Sequence, residues 1–178
     1  RDTSRAVGQY RTAMTTPVGD AWLGNPKADV TLVQFFDYNC GYCRANLPMI
    51  AQLVKADPKV RIVFRELPIL SQTSYDAAKV SYAAARQGKF RAFHDPLYKA
   101  GRVTPDTIAA TAKAAGVDLT AAKATDAAAE AEVRRNIDIA RALKATGTPT
   151  WVVGDKVLMG LQTLEQLQEA VAAARAKR

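Results

Sequence analysis

Cys40 and Cys43 are the only cysteines in this 178-residue chain, and two residues separate them. Thiols so spaced can close a disulfide and reopen it if one helical turn carries both. The flanking sequence supplies that turn. Val30 to Phe36 (VTLVQFF) is a near-continuous apolar, β-branched and aromatic run that reads as a buried strand. From Arg44 to Lys55, apolar side chains recur at Leu47, Ile50, Ala51 and Val54, which is helical spacing. Cys40 then sits at a helix N-terminus, where unpaired amides and the helix dipole favour an anion, so its pKa should fall below the free value of about 8.5. Cys43 lies one turn further in, on the same side. The chemistry this arrangement suits is thiol–disulfide exchange.

Other chemistries of a cysteine pair fit less well. A structural zinc site needs four ligands, and the chain offers two cysteines and one histidine, His94. A cysteine hydrolase with His94 as base would not keep a second thiol beside its nucleophile. A purely structural disulfide would close too short a loop to constrain the unfolded chain. A non-enzymatic module that binds copper, which favours soft thiolate ligands, or unfolded chains through the same pair stays open.

The elements that must position the pair can be read along the chain. Residues 1–18 are polar, lack a core pattern and suggest an arm or a cut helix. Ala21-Trp22-Leu23 suggests a short edge strand ended by Asn25-Pro26, and strand 30–36, helix 41–56 and strand 60–66 form a β-α-β unit. An alanine-rich helical stretch follows, with Tyr75, Ala78, Tyr82 and Ala85 on one face and Gly88 as stop. A second helix carries Phe90, Phe93 and Leu97 and is expected to break near Pro96. Thr104-Pro105 opens a third, closed by Gly116, and a short one covers about 119–124. A long helix from Asp126 places Val133, Ile137, Ala140 and Leu143 on one side and is expected to end at Gly147. Strands 150–153 and 156–159 make a hairpin, and Thr163 to Gln166 is a capping box opening the last helix.

Composition narrows the function classes. Twenty-five Lys and Arg against 17 Asp and Glu give a net charge of +8, but the cations are scattered. Arg1, Arg5 and Arg11 lie at the start, Arg134 and Arg135 in the long helix, and Arg175, Lys177 and Arg178 at the end. A nucleic-acid surface would gather them into a stripe with aromatic partners, so weak attraction to acidic partners is the better reading. No apolar run approaches the 18 or so residues of a membrane span. The chain starts at Arg1 without a charged-then-apolar leader, and the expectation is a mature or trimmed product.

Phe35-Phe36-Asp37-Tyr38-Asn39-Cys40-Gly41-Tyr42-Cys43-Arg44, with Pro48 beyond, resembles the active-site segment of thioredoxin-fold proteins, and more narrowly the DsbA-like thiol:disulfide oxidoreductases of bacterial cell envelopes. Arg65 to Leu70, Phe90 to Tyr98 and Gly147 to Gly154 resemble further segments of that family, in the same order. The resemblance implies an α/β, thioredoxin-like fold interrupted by an α-helical insertion. Its parts would be an arm (1–18), a first thioredoxin-like part (19–68), the insertion (69–125) and a second thioredoxin-like part (126–178). It also implies a cis Thr148–Pro149 bond beside the cysteines, where Gly41, Tyr42, Thr148 and Pro149 would meet an extended substrate.

The implied activity is exchange of a Cys40–Cys43 disulfide with folding or secreted proteins in the periplasm, in the oxidising direction, with isomerase or reductase action as the alternative. Cys40 would be the exposed, attacking sulfur and Cys43 the buried, resolving one. No cofactor is implied. The implied partners are cysteine-containing or unfolded proteins and a membrane or soluble protein that resets the pair. In one respect the sequence departs from the pattern: where many thioredoxin-fold enzymes bury an acid six residues before the first cysteine, this chain has Gln34. Asp37 lies close by, but strand alternation sets it on the opposite face from Gln34, and it is not expected to act as a base. His94 is expected to pack or to hydrogen-bond within its helix, and Trp22 and Trp151 to serve as core or groove wall.

Overall fold

The computed structural model describes residues 2–178; Arg1 lies outside the described residues. In chain order the elements are α1 (Asp2–Thr15), β1 (Trp22–Gly24), β2 (Val30–Phe36), α2 (Gly41–Ala56), β3 (Val60–Glu66), α3 (Gln72–Arg86), α4 (Phe90–Lys99), α5 (Pro105–Ala115), α6 (Leu119–Ala124), α7 (Asp126–Ala142), β4 (Thr150–Val153), β5 (Lys156–Met159) and α8 (Leu164–Ala176). The strands form one sheet in the order β1-β3-β2-β4-β5. Among the described residues only β2 and β3 run parallel, joined through α2; the other neighbours are antiparallel. This is the α/β thioredoxin-like fold, with helices α3 to α6 inserted between β3 and α7.

Both central strands are buried on both faces, which is why their sequences are continuously apolar rather than alternating. Alternate residues serve two cores. Leu32 and Phe36 join Ile50 and Leu53 of α2, Leu167 of α8 and the aromatic residues of α4; Val33 and Phe35 join Val7 and Met14 of α1 and Ile139 of α7. Residues 2–15 are thus a packed helix and not a free arm. Ala6, Val7, Tyr10, Ala13 and Met14 recur on one helical face, a stripe diluted in the sequence by the polar residues between. Arg65 leaves β3 on that same side and forms a buried ion pair with Glu132 of α7, while Nη1 donates to the carbonyls of Ala13 (3.1 Å) and Thr16 (2.7 Å).

Three details differ from the sequence reading. Helix α4 continues through Pro96, whose missing N–H costs one helical hydrogen bond without ending the helix. Helix α7 stops at Ala142, before Gly147: Leu143 caps it and Lys144 turns to φ 59°. The buried face of α2 is Cys43, Asn46, Ile50 and Leu53, one step round from the apolar stripe, because Asn46 is held inside by donating to the Gln162 carbonyl at 3.1 Å.

Candidate active site

Strand β2 delivers the chain to the cysteines through Asp37, Tyr38 and Asn39, and each of these three is anchored. The buried Asp37 carboxylate accepts from the amides of Asn39 (2.8 Å), Ile69 and Leu70 (both 2.9 Å) and from the Ser74 hydroxyl (2.6 Å). Asn39 Nδ2 lies 2.8–3.0 Å from the hydroxyls of Ser71, Thr73 and Ser74, at the N-terminus of α3. The Tyr38 hydroxyl meets His94 Nδ1 and Ser81 Oγ, each at 2.8 Å. Arg44 Nε donates to the Tyr98 carbonyl at 2.8 Å, fixing α2 to α4. The helical insertion therefore holds the loop that presents the cysteines.

Cys40 is the N-cap of α2, and its sulfur accepts the Cys43 amide at 3.2 Å. Both cysteines are free thiols. The Cys40 pKa is lowered to about 6, chiefly by hydrogen bonding from the Cys43 thiol, with Thr148 and the amides of Cys43 and Tyr42 adding against the cost of burial. Cys43 moves the opposite way: burial, then its bond to Cys40, pushes its thiol far above the usual range. One turn of helix thus separates an anionic sulfur from a neutral one.

Cys40 is only 5% exposed, so the expectation of a freely exposed nucleophile is corrected: neighbouring chain covers it and access is through a cavity. That cavity, about 640 Å³, is lined by Asn39, Cys40, Gly41, Tyr42, Ala45, Leu70, Gly147, Thr148 and Leu161. Tyr42, Leu70 and Leu161 are exposed apolar side chains around its mouth. The Cys40 sulfur lies 3.2 Å from the Thr148 carbonyl, to which it donates while protonated, and the Thr148–Pro149 peptide bond is cis. Of the residues anticipated from the sequence, Cys40, Gly41, Tyr42 and Thr148 line the cavity. Cys43 and Pro149 lie buried behind it, and the Pro149 carbonyl accepts from Gly160 at 2.8 Å.

Leu70, Gly147 and Leu161 escaped sequence reasoning because only tertiary folding brings three loops together there. Asp37 could have been found: an aspartate two residues before Asn39 at a strand end is an Asx-turn signal. His94 does not bond within its own helix; buried among Phe36, Phe64 and Phe90, its ring bonds to Tyr38 in the loop before the cysteines. Burial holds its pKa well below the ordinary value, so it stays neutral. Gln34 is fully buried on the same side of the sheet as Leu32 and Phe36, and its Nε2 has no protein partner.

Comparison with known proteins agrees with this geometry. The model of the DSBA-like thioredoxin domain matches residues 31–172. A thioredoxin-like oxidoreductase from Silicibacter pomeroyi DSS-3 superposes with a TM-score of 0.83 at 40% identity, over 87% of this chain and 91% of that one. The thiol-disulfide exchange protein alpha-DsbA2 of Wolbachia pipientis does so with a TM-score of 0.87 at 28% identity, over 96% and 95%. The Na(+)/H(+) antiporter NhaA 3 of Salinispora tropica is 30% identical over 163 residues, 89% of this chain and 25% of the antiporter. The chain spans about a quarter of the length of the curated relatives it matches. Since the family match runs from the second residue of β2 into α8 and encloses both cysteines and the Thr148–Pro149 turn, the chain belongs to the DSBA-like thioredoxin domain family.

Proposed function

We propose that the chain is a thiol:disulfide oxidoreductase acting on cysteine-containing proteins of the cell envelope. The observation that carries this reading is the opposed ionisation of its two sulfurs. Cys40, with a pKa of about 6, is mostly thiolate at neutral pH beside an open apolar cavity, while Cys43 is buried and protonated. When the Cys40 thiolate attacks a substrate disulfide, one S–S bond breaks, a Cys40–substrate S–S bond forms, and the substrate's other sulfur leaves as thiolate. Cys43 then loses its proton and attacks the Cys40 sulfur. The second substrate thiol is released, and the pair ends oxidised, with two electrons transferred. Run backwards, the same steps oxidise a substrate dithiol.

An attacking thiol works best when its pKa lies near ambient pH, and about 6 meets that condition. It supports the reducing or isomerising direction over the strongly oxidising one. Location in the periplasm rests on the family resemblance and on the oxidising compartment that disulfide chemistry needs. A separate redox protein must reset the pair. The apolar rim of Tyr42, Leu70 and Leu161 suits an extended peptide with a large apolar residue beside its cysteine, lying along the Thr148 edge.

The test is a Cys43→Ser variant mixed with a disulfide-bonded protein, compared with Cys40→Ser. The first should accumulate mixed disulfides visible without reductant, and the second none. Trapping through Cys43 instead would reject the assigned roles. Equilibration of the native pair with glutathione fixes the direction: a potential near about −120 mV marks a dedicated oxidant, and about −180 mV or lower an isomerase or reductase.

A further inference from the structure

At the end of the sheet opposite the cysteines lies a second cavity, of about 430 Å³, which thiol chemistry does not use. It is lined by the start of β2 (Val30, Thr31), by Thr15, by the Gly154-Asp155 turn and by the end of α8. The seven residues of β2, at roughly 3.3 Å each, set it about 20 Å or more from Cys40. Four cations line it, Arg11, Arg61, Lys177 and Arg178, against two carboxylates, Asp29 and Asp155.

Both carboxylates are already engaged. Arg175 grips Asp29 through Nε and Nη2 at 2.8–3.1 Å, and Arg11 Nη2 donates to Asp155 at 2.7 Å. Among the described residues Arg61 has no carboxylate partner: Nη2 donates to the Thr15 carbonyl at 3.0 Å, and its Nε is buried without an acceptor. Arg61 borders the cavity, and its guanidinium keeps donors beyond the one given to Thr15 that no carboxylate occupies. Lys177 and Arg178 reach the carboxylates only at 3.9 and 3.5 Å, so both keep donors for a ligand.

We infer that this cavity is a binding site for a phosphate-class oxyanion, either a free phosphate compound or the headgroup of an anionic phospholipid. Guanidinium forks pair with phosphate oxygens in plane and in pairs, and a phosphate offers several donors three acceptor oxygens where a carboxylate offers two. Among the lining side chains the cations outnumber the carboxylates by two, which favours an anion. If the source is a lipid, the protein rests on the bilayer by this end and turns Cys40 towards the aqueous side. The inference is independent of the proposed redox function, because none of its residues touches the cysteine cavity.

The test titrates the isotopically labelled native chain at low ionic strength in two arms, one with inorganic phosphate and one with vesicles of phosphatidylcholine with or without phosphatidylglycerol. The expected result is a saturable response confined to the lining residues, weakened about tenfold in Lys177→Gln/Arg178→Gln and in Arg61→Gln, with Arg61→Lys retaining more. Binding of phosphate alone identifies a soluble ligand. Tighter binding to phosphatidylglycerol vesicles, displaced by phosphate, identifies a lipid. Should Arg61→Gln unfold, the double variant carries the test, since its two side chains are largely exposed. Thiol exchange should be unchanged in every folded variant. No saturable response in either arm, or one indifferent to the substitutions, would reduce the cluster to an ionic latch between α1, α8 and the hairpin and overturn the proposal.

Discussion

Replacing Cys43 by alanine or by serine should separate the two ways in which the fold makes Cys40 anionic. The Cys43 thiol is the largest cause of the lowered pKa; Thr148 and the helix-terminal amides add to it. A hydrogen bond to a charged acceptor contributes about 1.5–3 kcal/mol, and one pKa unit corresponds to 1.36 kcal/mol. Alanine removes that donor and should raise the Cys40 midpoint from about 6 to between about 7 and 8. Serine keeps a donor in place and should leave the midpoint near 6. The assay is the rate of alkylation at Cys40 against pH, with the 240 nm absorbance of the thiolate as a check. Equal midpoints near 6 in both variants would show that the amides alone hold the anion, and a midpoint near 9 in either the alanine or the serine variant would refute the serine prediction or the amide contribution.

The same lowering has a consequence for the redox equilibrium. Cys40's folded value lies below the unfolded one, so the reduced state gains stability that is complete above about pH 9 and is lost as pH falls through about 6. At pH 7 the gain is at most about 1.4 kcal/mol, worth about 30 mV towards a more oxidising pair, and water in the open cavity trims it. The potential should therefore change slope with pH near 6. A single slope from pH 5 to 8 would place the thiolate's pKa elsewhere.

Three further outcomes are expected. Gln34→Glu buries a carboxyl in the strand that leads to the cysteines; it should speed resolution of the mixed disulfide near neutral pH and lower the stability of the oxidised form, and a resolution rate unchanged between pH 6 and 9 would deny the position any role in proton transfer. Asp37→Asn sets an amide against three backbone N–H groups and the Ser74 hydroxyl, and should cost about 1–3 kcal/mol in urea unfolding while loosening the loop before Cys40. Glu132→Ala strands the buried Arg65 and should cost about 3–5 kcal/mol in the same assay; a loss under about 1 kcal/mol would mean that Asn136 and the α1 carbonyls suffice to hold the guanidinium.

Much of this was legible in the sequence because it is local. Strands β2 and β3, the caps at Thr104 and Thr163 and the left-handed Gly116 follow from residue types within a few positions. What was not legible depends on distant partners. Asn46 and Arg65 are polar residues in buried positions, and only the Gln162 carbonyl and the Glu132 carboxylate, brought close by folding, make that burial tolerable. The stripe on α1 is too short and too interrupted to declare itself until β2 and α7 are present to receive it. The burial of Cys40 is of the same kind: the sequence places it at a helix end, but the loop that covers it arrives from more than a hundred residues away.

The division of labour between two chemically identical side chains follows from one step along α2. At the N-cap, Cys40 meets donors and an open cavity; three residues on, Cys43 meets the core, where no charge is favoured. In the proposed mechanism the first sulfur attacks as a thiolate, and the second becomes a nucleophile only once it has lost its proton. Gln34 cannot take that proton, and Asp37 is committed to four donors in the loop. Neither residue therefore assists release of the Cys43 proton. Mixed disulfides would persist longer than with an acid at position 34, which gives a second substrate thiol time to resolve them.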